Sequence, residues 1–281
     1  MRERSITIKQ IEKFGMYLYE EEKSENTIGK YLRDVKGFLV WTAGKQINKP
    51  LVLEYKKSLC DAYAPRSVNS MLSSLNAFFG FMNWHEMKVK TLKIQRQLFA
   101  DREKELTTAE YYRLLTAAKK QNKEQLYYLI QTIGSTGMRV SELRFVSVDA
   151  VEKGQAVINC KGKVRRIFLP KQLCRMLKGY ISREKPGNGS VFVGKNGKPL
   201  DRTNIWRMLK SLCAVAGVSG KKVFPHNFRH LFARTFYSVQ KDIVRLADIL
   251  GHSSVNTTRI YTVETGDIHR KQIQSLGLLR C

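Results

Sequence analysis

The sequence predicts a mainly α-helical protein with a small β-sheet, an α+β fold divided into an N-terminal helical bundle and a C-terminal mixed domain. Apolar residues recur at near-helical spacing in many segments of the 281 residues, whereas only short segments have the pattern of strands. A polar stretch at residues 96–105 (RQLFADREKE) separates the purely helical part from the part that contains strands. These observations together predict two domains.

The N-terminal bundle is predicted from four amphipathic segments, at residues 6–22, 26–43, 51–62 and 66–83. In the second segment one apolar stripe is formed by Ile28, Tyr31, Leu32, Val35, Phe38, Leu39 and Trp41. The prolines of NKP and YAPRS fit the first turns of the third and fourth helices. We therefore expect a domain at residues 1–99, a link at residues 100–105 and a second domain at residues 106–281.

The second domain is predicted to be mixed. Thr107 and Glu110 form a capping box that begins its first helix. Two strands, QAVINC and RRIFLP, lie on either side of the basic turn KGKV, and GSVFVG at residues 189–194 is a candidate third strand. Helical patterns follow at residues 123–134, 171–183, 202–216, 227–238, 241–250 and 255–260.

The net charge of +26 favours nucleic acid as the partner of this chain. Residues 1–100 contain 17 basic and 10 acidic side chains, and the other residues contain 33 and 14. Such an excess favours binding to a polyanion through counterion release, and without a polyanion it destabilises the compact state through self-repulsion. The alternative is a solvated basic surface without a specific partner.

Composition argues against several other classes. No run approaches the length of a membrane span, and the first residues lack the apolar segment of a signal peptide. The five cysteines have no C-x-x-C spacing, which argues against disulfides and zinc and fits a cytoplasmic protein. His226 and His230 are four residues apart, but the HExxH glutamate and a third ligand are absent. We expect no metal, no cofactor and no membrane partner.

Three clusters in the second domain contain residues suited to phosphate chemistry. They are TGMRVSELR with Arg139, PHNFRHLFAR with His226 and Arg229, and LGHSSVNTTRIYT with His252 and Tyr261. Two arginines can bind the non-bridging oxygens of a phosphate, and a tyrosine hydroxyl can act as a nucleophile. Taken singly, each of these residues is more often structural, so the interpretation depends on their combination.

In combination the clusters resemble the motifs of the tyrosine recombinase (phage integrase) family. The segment TGMRVSEL matches the TG-x-R-x-S-E-L box of the family, and the segment HNFRH matches its H-x-x-R-H box. The segment LGHSSVNTTRIY matches its LGH motif, which is followed nine residues later by a tyrosine. NCKGKVRRIFLP resembles the lysine-bearing hairpin GKGxKxR of the family, with Cys160 in place of the first glycine and Val164 in place of a second lysine. The resemblance assigns the lysine to Lys161, with Lys163 as the alternative.

The resemblance covers nearly the whole chain, since SENTIGKYLRDVKGFLVW and APRSVNSMLSSLNAFFGFM look like helices of the family's core-binding domain. The layout is similar to that of short Xer-like recombinases, and it implies that the two domains clamp double-stranded DNA with inverted-repeat core sites. It also implies a homotetramer on DNA and strand exchange through a Holliday junction. In the family the tail that follows the tyrosine docks on a neighbouring protomer of the tetramer, and we expect the same here, the alternative being a tail that folds on its own domain.

The family chemistry implies a role for each site residue and needs neither metal nor ATP. Tyr261 would attack a DNA phosphate to give a 3′-phosphotyrosine, and Lys161 would protonate the leaving 5′-oxygen. The phosphate would be bound by Arg139 and Arg229, with His226 and His252 assisting proton transfer. Glu142 is expected to orient Arg139 or to cap the local backbone, and His230 to pack or hydrogen-bond behind the site.

Two alternative functions share these residues. A type IB topoisomerase-like enzyme would nick and close DNA without exchanging strands, and a non-catalytic protein would only bind it. Small size and the core-binding helices favour the recombinase. Its role can be integration and excision of a mobile element, inversion, or resolution of dimers.

Overall fold

A computed structural model describes residues 4–94, 102–160, 163–187, 189–261 and 274–276. The chain divides into two compact units, residues 1–96 and 97–281. The described residues are mostly helical and contain one two-stranded sheet, which confirms the predicted fold class. Within these ranges no helix is long and apolar enough to cross a membrane.

The first unit, as far as it is described, consists of α1 (Ile8–Glu20), α2 (Glu25–Thr42), α3 (Lys49–Ala62) and α4 (Pro65–Phe81). All four predicted helices are confirmed. Asn48 caps α3 by accepting a hydrogen bond from the backbone N–H of Leu51 at 2.9 Å. The prolines lie in the first turns of α3 and α4, where a missing N–H costs no hydrogen bond.

The core of this unit is aromatic. Phe14, Phe38, Phe78 and Phe79 are completely buried. The rings of Phe14 and Phe78 meet edge to face with centroids 5.3 Å apart. Burying each such side chain stabilises the fold by about 2–3 kcal/mol, so the packing of α1, α2 and α4 depends on these rings.

In the second unit a 3₁₀ turn, Arg102–Lys104, precedes α5 (Thr108–Lys120) and α6 (Glu124–Thr136). The predicted capping box of Thr107 and Glu110 is present at the start of α5. A 3₁₀ segment, Val140–Phe145, leads into the short α7 (Val148–Lys153). The strands β1 (Gln155–Cys160) and β2 (Lys163–Phe168) follow. The remaining elements are α8 (Lys171–Glu184), α9 (Arg202–Lys210), α10 (Cys213–Ala216), α11 (Pro225–Gln240), α12 (Ile243–Leu250), α13 (Val255–Thr258) and the 3₁₀ turn Arg259–Tyr261.

The two strands form an antiparallel hairpin in which Cys160 lies opposite Lys163. Ile158 and Ile167 are buried, whereas Phe168 is 75% exposed, so one face of the hairpin packs on the core and the other faces solvent. Lys161 and Gly162 at the turn lie outside the described residues, as does the expected C-terminal tail except for residues 274–276.

Two predicted elements are wrong. The candidate third strand at residues 189–194 is not a strand and forms two isolated bridges, Ser190 with Ser147 and Val193 with Pro199. The first bridge does not extend into a ladder because Ser147 caps α7 and the chain turns there into that helix. The single helix predicted at residues 202–216 is divided into α9 and α10. The division occurs where the N–H of Leu212 bonds to the carbonyl of Leu209 in a tighter 3₁₀ turn, which buries the Leu212 side chain.

Candidate active site

Four helix ends of the second unit bring the predicted arginines, histidines and tyrosine together. Arg139 follows the end of α6, whose cap Gly137 has a φ of +64° that favours glycine. A Cβ at this glycine would also collide with the ring of Phe232. His226 lies on the first turn of α11 and Arg229 at the start of its second turn, and the other residues lie at or after the ends of α12 and α13.

Arg229 is the most enclosed member of the site, with 2% of its surface exposed. Its Nη1 donates to the carbonyl of Gly137 at 2.7 Å, and its Nη2 donates to the carbonyl of Leu250 at 2.8 Å. Burial and the positive charge of Arg139 lower the pKa of Arg229 to about 10, while the neighbouring Tyr261 acts in the opposite direction. Arg229 therefore stays protonated at neutral pH in a fixed orientation.

Arg139 is held by Glu142, as predicted. Glu142 is buried and pairs with the Nη1 of Arg139 at 3.1 Å, while it also accepts a hydrogen bond from the Arg139 backbone N–H at 2.7 Å. The Arg139 side chain is still 43% exposed. Its guanidinium can therefore bind an external anion without leaving Glu142.

A third arginine, Arg165 on β2, contacts the same carboxylate and was missed by the sequence reasoning. Its Nη2 lies 3.1 Å from Glu142, and its Nη1 donates to the carbonyl of Leu250. Burial and Arg139 lower the pKa of Arg165, whereas Glu142 raises it. Its place in the basic hairpin beside the lysine motif was the only signal in the sequence.

His252 lies between Arg229 and α13. Its Nε2 is 3.0 Å from the Nη2 of Arg229, and its Nδ1 is 2.8 Å from the hydroxyl of Thr258. Burial and the neighbouring arginines, with Arg229 first among them, lower the pKa of His252 to about 4. The ring is consequently neutral at pH 7. Thr258 was also missed, because a threonine among small polar residues has no distinguishing pattern.

Tyr261 lies against two of the histidines and is 4% exposed. Its ring stacks on that of His252 with centroids 6.1 Å apart, and it meets the ring of His230 edge to face at 4.7 Å. The apolar side of the ring packs with Leu246 and Leu250 of α12. The tyrosine thus lies beside the arginines of its own chain.

The two histidines of α11 differ in environment. His226 is exposed at the edge of the site, and loss of hydration together with the charges of Arg229 and Arg139 lowers its pKa. His230 lies behind it with ring centroids 4.4 Å apart, and burial followed by His226 and Arg229 lowers the pKa of His230 to about 4. Among the described residues no group of three His, Cys, Asp or Glu side chains is arranged to hold a metal.

The described part of the site thus contains Arg139, His226, Arg229, His252 and Tyr261 in one place. Lys161 lies outside the described residues, and of Lys163 the backbone at the start of β2 is described. A guanidinium that is half exposed, a buried second guanidinium and neutral imidazoles can together bind a phosphate and move protons around it.

Comparison with protein families agrees with this arrangement. Residues 104–266 match the Phage integrase family, and residues 11–86 match the Phage integrase N-terminal SAM-like domain. The chain belongs to the phage integrase family. It is a tyrosine recombinase of the Xer/integrase type, an enzyme class that cuts and rejoins DNA at specific sites.

Curated relatives of the recombinase match it over most of their length. Tyrosine recombinase XerA of Pyrococcus furiosus is 31% identical over 290 residues, which cover 99% of this chain and 98% of the relative. Tyrosine recombinase XerD of Vibrio cholerae is 26% identical over 266 residues, which cover 87% of this chain and 87% of the relative.

Solved structures share the fold of the recombinase. The XerH recombinase bound to its difH substrate in a pre-cleavage complex is 20% identical, with a TM-score of 0.70 over 92% of this chain and 82% of the other. A lambda integrase tetramer bound to a Holliday junction is 18% identical, with a TM-score of 0.73 over 92% and 78% of the two chains.

Proposed function

We propose that this recombinase cleaves DNA by attack of the Tyr261 hydroxyl on a backbone phosphate. The P–O5′ bond breaks, which gives a 3′-phosphotyrosine and a free 5′-hydroxyl. One observation carries the proposal: the ring of Tyr261 stacks on that of His252, whose Nε2 is 3.0 Å from the Nη2 of Arg229, and Arg139 contacts the carbonyl of Gly251 beside this histidine. A nucleophile and two phosphate-binding guanidinium groups therefore lie in one pocket.

The charged residues act on the transition state. Arg139 and Arg229 bind the non-bridging oxygens and stabilise the charge that develops on them. Their preorganised hydrogen bonds to Glu142 and to backbone carbonyls avoid reorganisation during the reaction. His226 and His252 are neutral at pH 7, and they assist proton transfer and hydrogen-bond the phosphate.

Lys161 protonates the leaving 5′-oxygen, and Lys163 is the alternative. Replacing the bridging oxygen by sulfur tests this assignment, because a thiolate leaves without a proton whereas an alkoxide does not. Sulfur should rescue cleavage by Lys161→Ala and should leave Tyr261→Phe inactive. Rescue of Lys163→Ala instead would assign the acid to Lys163, and rescue of neither would move the role to another residue, with His226 as the next candidate.

The substrate is double-stranded DNA with inverted-repeat core sites, bound in the cytoplasm by a homotetramer that exchanges strands through a Holliday junction. The names of the relatives support this proposal, since XerH is bound to difH and a lambda integrase tetramer to a Holliday junction. Residues 1–99 would bind the core site, residues 100–105 link the domains, and residues 106–281 catalyse. The biological role is integration and excision, inversion, or dimer resolution.

The test uses a duplex selected by binding from a random-sequence library. A nick placed a few nucleotides 3′ of the cleavage position lets the short fragment that carries the new 5′-hydroxyl diffuse away, which traps the covalent intermediate. The wild-type protein should give a protein–DNA adduct at Tyr261 and should transfer the strand to a second duplex, whereas Tyr261→Phe should bind without forming the adduct. Relaxation of supercoils without strand transfer would indicate a topoisomerase, and binding alone would indicate a non-catalytic protein.

A further inference from the structure

A buried hydroxyl lies against the histidine that follows α12. Thr258 is completely buried at the end of α13, three residues before Tyr261. Its Oγ1 is 2.8 Å from the Nδ1 of His252, and the other ring nitrogen is 3.0 Å from the Nη2 of Arg229. Both nitrogens of the imidazole thus have a side-chain partner.

The chemistry of these partners decides where the ring hydrogen lies. A guanidinium has only donors, so the Nε2 of His252 must accept from Arg229. The ring is neutral at pH 7, because burial and Arg229 lower its pKa to about 4. A neutral imidazole has one N–H, which is therefore on Nδ1 and donates to the hydroxyl of Thr258.

In this tautomer the Nε2 of His252 cannot donate a hydrogen bond to a phosphate. A hydroxyl, however, both donates and accepts, and it reverses its role by rotation of its hydrogen. If Thr258 donates to Nδ1, the ring hydrogen lies on Nε2. Two N–H groups cannot share the contact with Arg229, so in this tautomer the Nε2–H turns away from the guanidinium and toward the phosphate. The exchange removes a proton from Nδ1 and adds one to Nε2 through water, so the ring takes up no net proton.

We propose that Thr258 is a positioning residue that holds His252 as an acceptor for Arg229 before DNA binds and as a donor to the scissile phosphate afterwards. The phosphate in this statement rests on the proposed function. The same hydrogen bond ties α13, which precedes Tyr261, to the phosphate-binding pocket. The position of Tyr261 and the hydrogen-bonding state of His252 are therefore coupled through Thr258, in addition to the direct stacking of the two rings.

The first test is spectroscopic and needs no activity. Long-range ¹H–¹⁵N correlation spectra of the full chain report which ring nitrogen of a histidine carries the hydrogen. The signals of His252 are assigned as those that disappear in the His252→Gln variant. The DNA-free wild-type protein should show the Nδ1–H tautomer. In the complex of Tyr261→Phe with the selected duplex the hydrogen should move to Nε2. An Nε2–H tautomer in the DNA-free protein, or the same tautomer in both states, would overturn the proposal.

The second test compares Thr258→Val, which keeps the shape and removes the hydroxyl, with Thr258→Ser, which keeps the hydroxyl. Thr257→Val is the matched control, because Thr257 is the neighbouring residue on the same helix and is exposed. Loss of one hydrogen bond to a neutral group is worth about 1 kcal/mol, so single-turnover cleavage by Thr258→Val should be about fivefold to tenfold slower. Thr258→Ser and Thr257→Val should stay within about twofold of the wild-type protein.

The outcomes separate the two proposals. If the wild-type protein forms no adduct, the proposed function fails, while the tautomer of His252 in the DNA-free protein still tests the hydrogen bond. If Thr258→Ser is as slow as Thr258→Val, packing of the methyl group rather than the hydroxyl is responsible, and the positioning role is overturned. If Thr258→Val unfolds, the serine variant and the wild-type spectra decide alone.

Discussion

The ion pair between Glu142 and Arg165 allows a quantitative prediction. It joins β2 to the 3₁₀ segment that positions Arg139, and both side chains are largely buried, with 7% and 17% of their surface exposed. Replacing Arg165 by methionine keeps most of the length of the side chain and removes the charge. Glu142 is then left with Arg139, which is 43% exposed and hence more strongly screened by water.

The geometry sets the magnitude. Two unit charges 3.1 Å apart attract each other by about 5 kcal/mol at an effective dielectric constant of about 20, before the cost of desolvation. Breaking a buried pair costs about 3–5 kcal/mol when one charge is left uncompensated. Because Arg139 still compensates Glu142 in part, we expect Arg165→Met to lower the free energy of unfolding by about 3 kcal/mol.

A double-mutant cycle isolates the pair from the other contacts of Arg165. Glu142→Gln and the double variant complete the cycle, and we expect a coupling free energy of about 2 kcal/mol. The exposed pair Asp149–Lys153, with an N–O distance of 2.7 Å, is the matched control. Its cycle of Asp149→Asn and Lys153→Met should give about 0.3 kcal/mol, because water screens both charges.

The assay is urea unfolding followed by the fluorescence of Trp206, which is the single tryptophan of residues 97–281. Trp41 and Trp84 are replaced by phenylalanine in every variant, so that the signal reports the second unit. The midpoint for Arg165→Met should fall by about 1 M urea. A coupling free energy no larger than that of the exposed pair would refute the reasoning that burial of Glu142 makes this contact strong.

Three further predictions concern backbone, pH and salt. Gly251→Ala should destabilise the second unit by about 2–3 kcal/mol, whereas Gly154→Ala should destabilise it by about 1 kcal/mol. Both glycines have a positive φ, but a Cβ would collide with Arg165 only at Gly251. Equal losses of urea midpoint would contradict this contact. The pKa values of His230 and His252 are about 4 in the folded chain, which is lower than in the unfolded chain. Between about pH 4 and 6.5 the unfolded chain therefore binds more protons than the folded chain. The free energy of unfolding must consequently fall as the pH falls through this range. The urea midpoint should therefore be lower at pH 5 than at pH 7, and the difference should shrink in His230→Gln; a midpoint unchanged over this range would show that the histidines are not buried as neutral rings. Affinity for the selected duplex should fall by about 10³–10⁵ between 50 and 200 mM salt if about 6–10 phosphates are contacted, and a flat titration by fluorescence anisotropy would exclude such an extensive charged interface.

The helices were predictable because their signals are local. Val35 and Phe38 belong to a stripe that repeats within one helix, and both are buried as that stripe predicts. The capping box of Thr107 and Glu110 requires only residues three apart. The ends of such elements follow from propensity and spacing within a single turn or two, so no knowledge of the tertiary structure is needed.

The site was predictable only in part, because several of its contacts join distant segments. Arg165 and Glu142 are 23 residues apart, and Arg229 contacts a carbonyl 92 residues away. Nothing in the spacing of arginines in the basic hairpin distinguishes Arg165 from its neighbour Arg166. The false strand at residues 189–194 has the same cause, since Val191 and Phe192 are buried by tertiary packing and not by a sheet.

Tyr261 packs against His230 and His252 of its own chain, so each copy carries the proposed nucleophile together with the arginines proposed to bind the phosphate. Two defective copies therefore cannot complement each other: mixing Arg229→Ala protein with Tyr261→Phe protein should restore no cutting, since neither chain can lend the missing group. In the proposed tetramer every copy can be silenced individually, and the strand that stays intact identifies the position of the Tyr261→Phe copy. The order in which strands are cut can then be determined one protomer at a time.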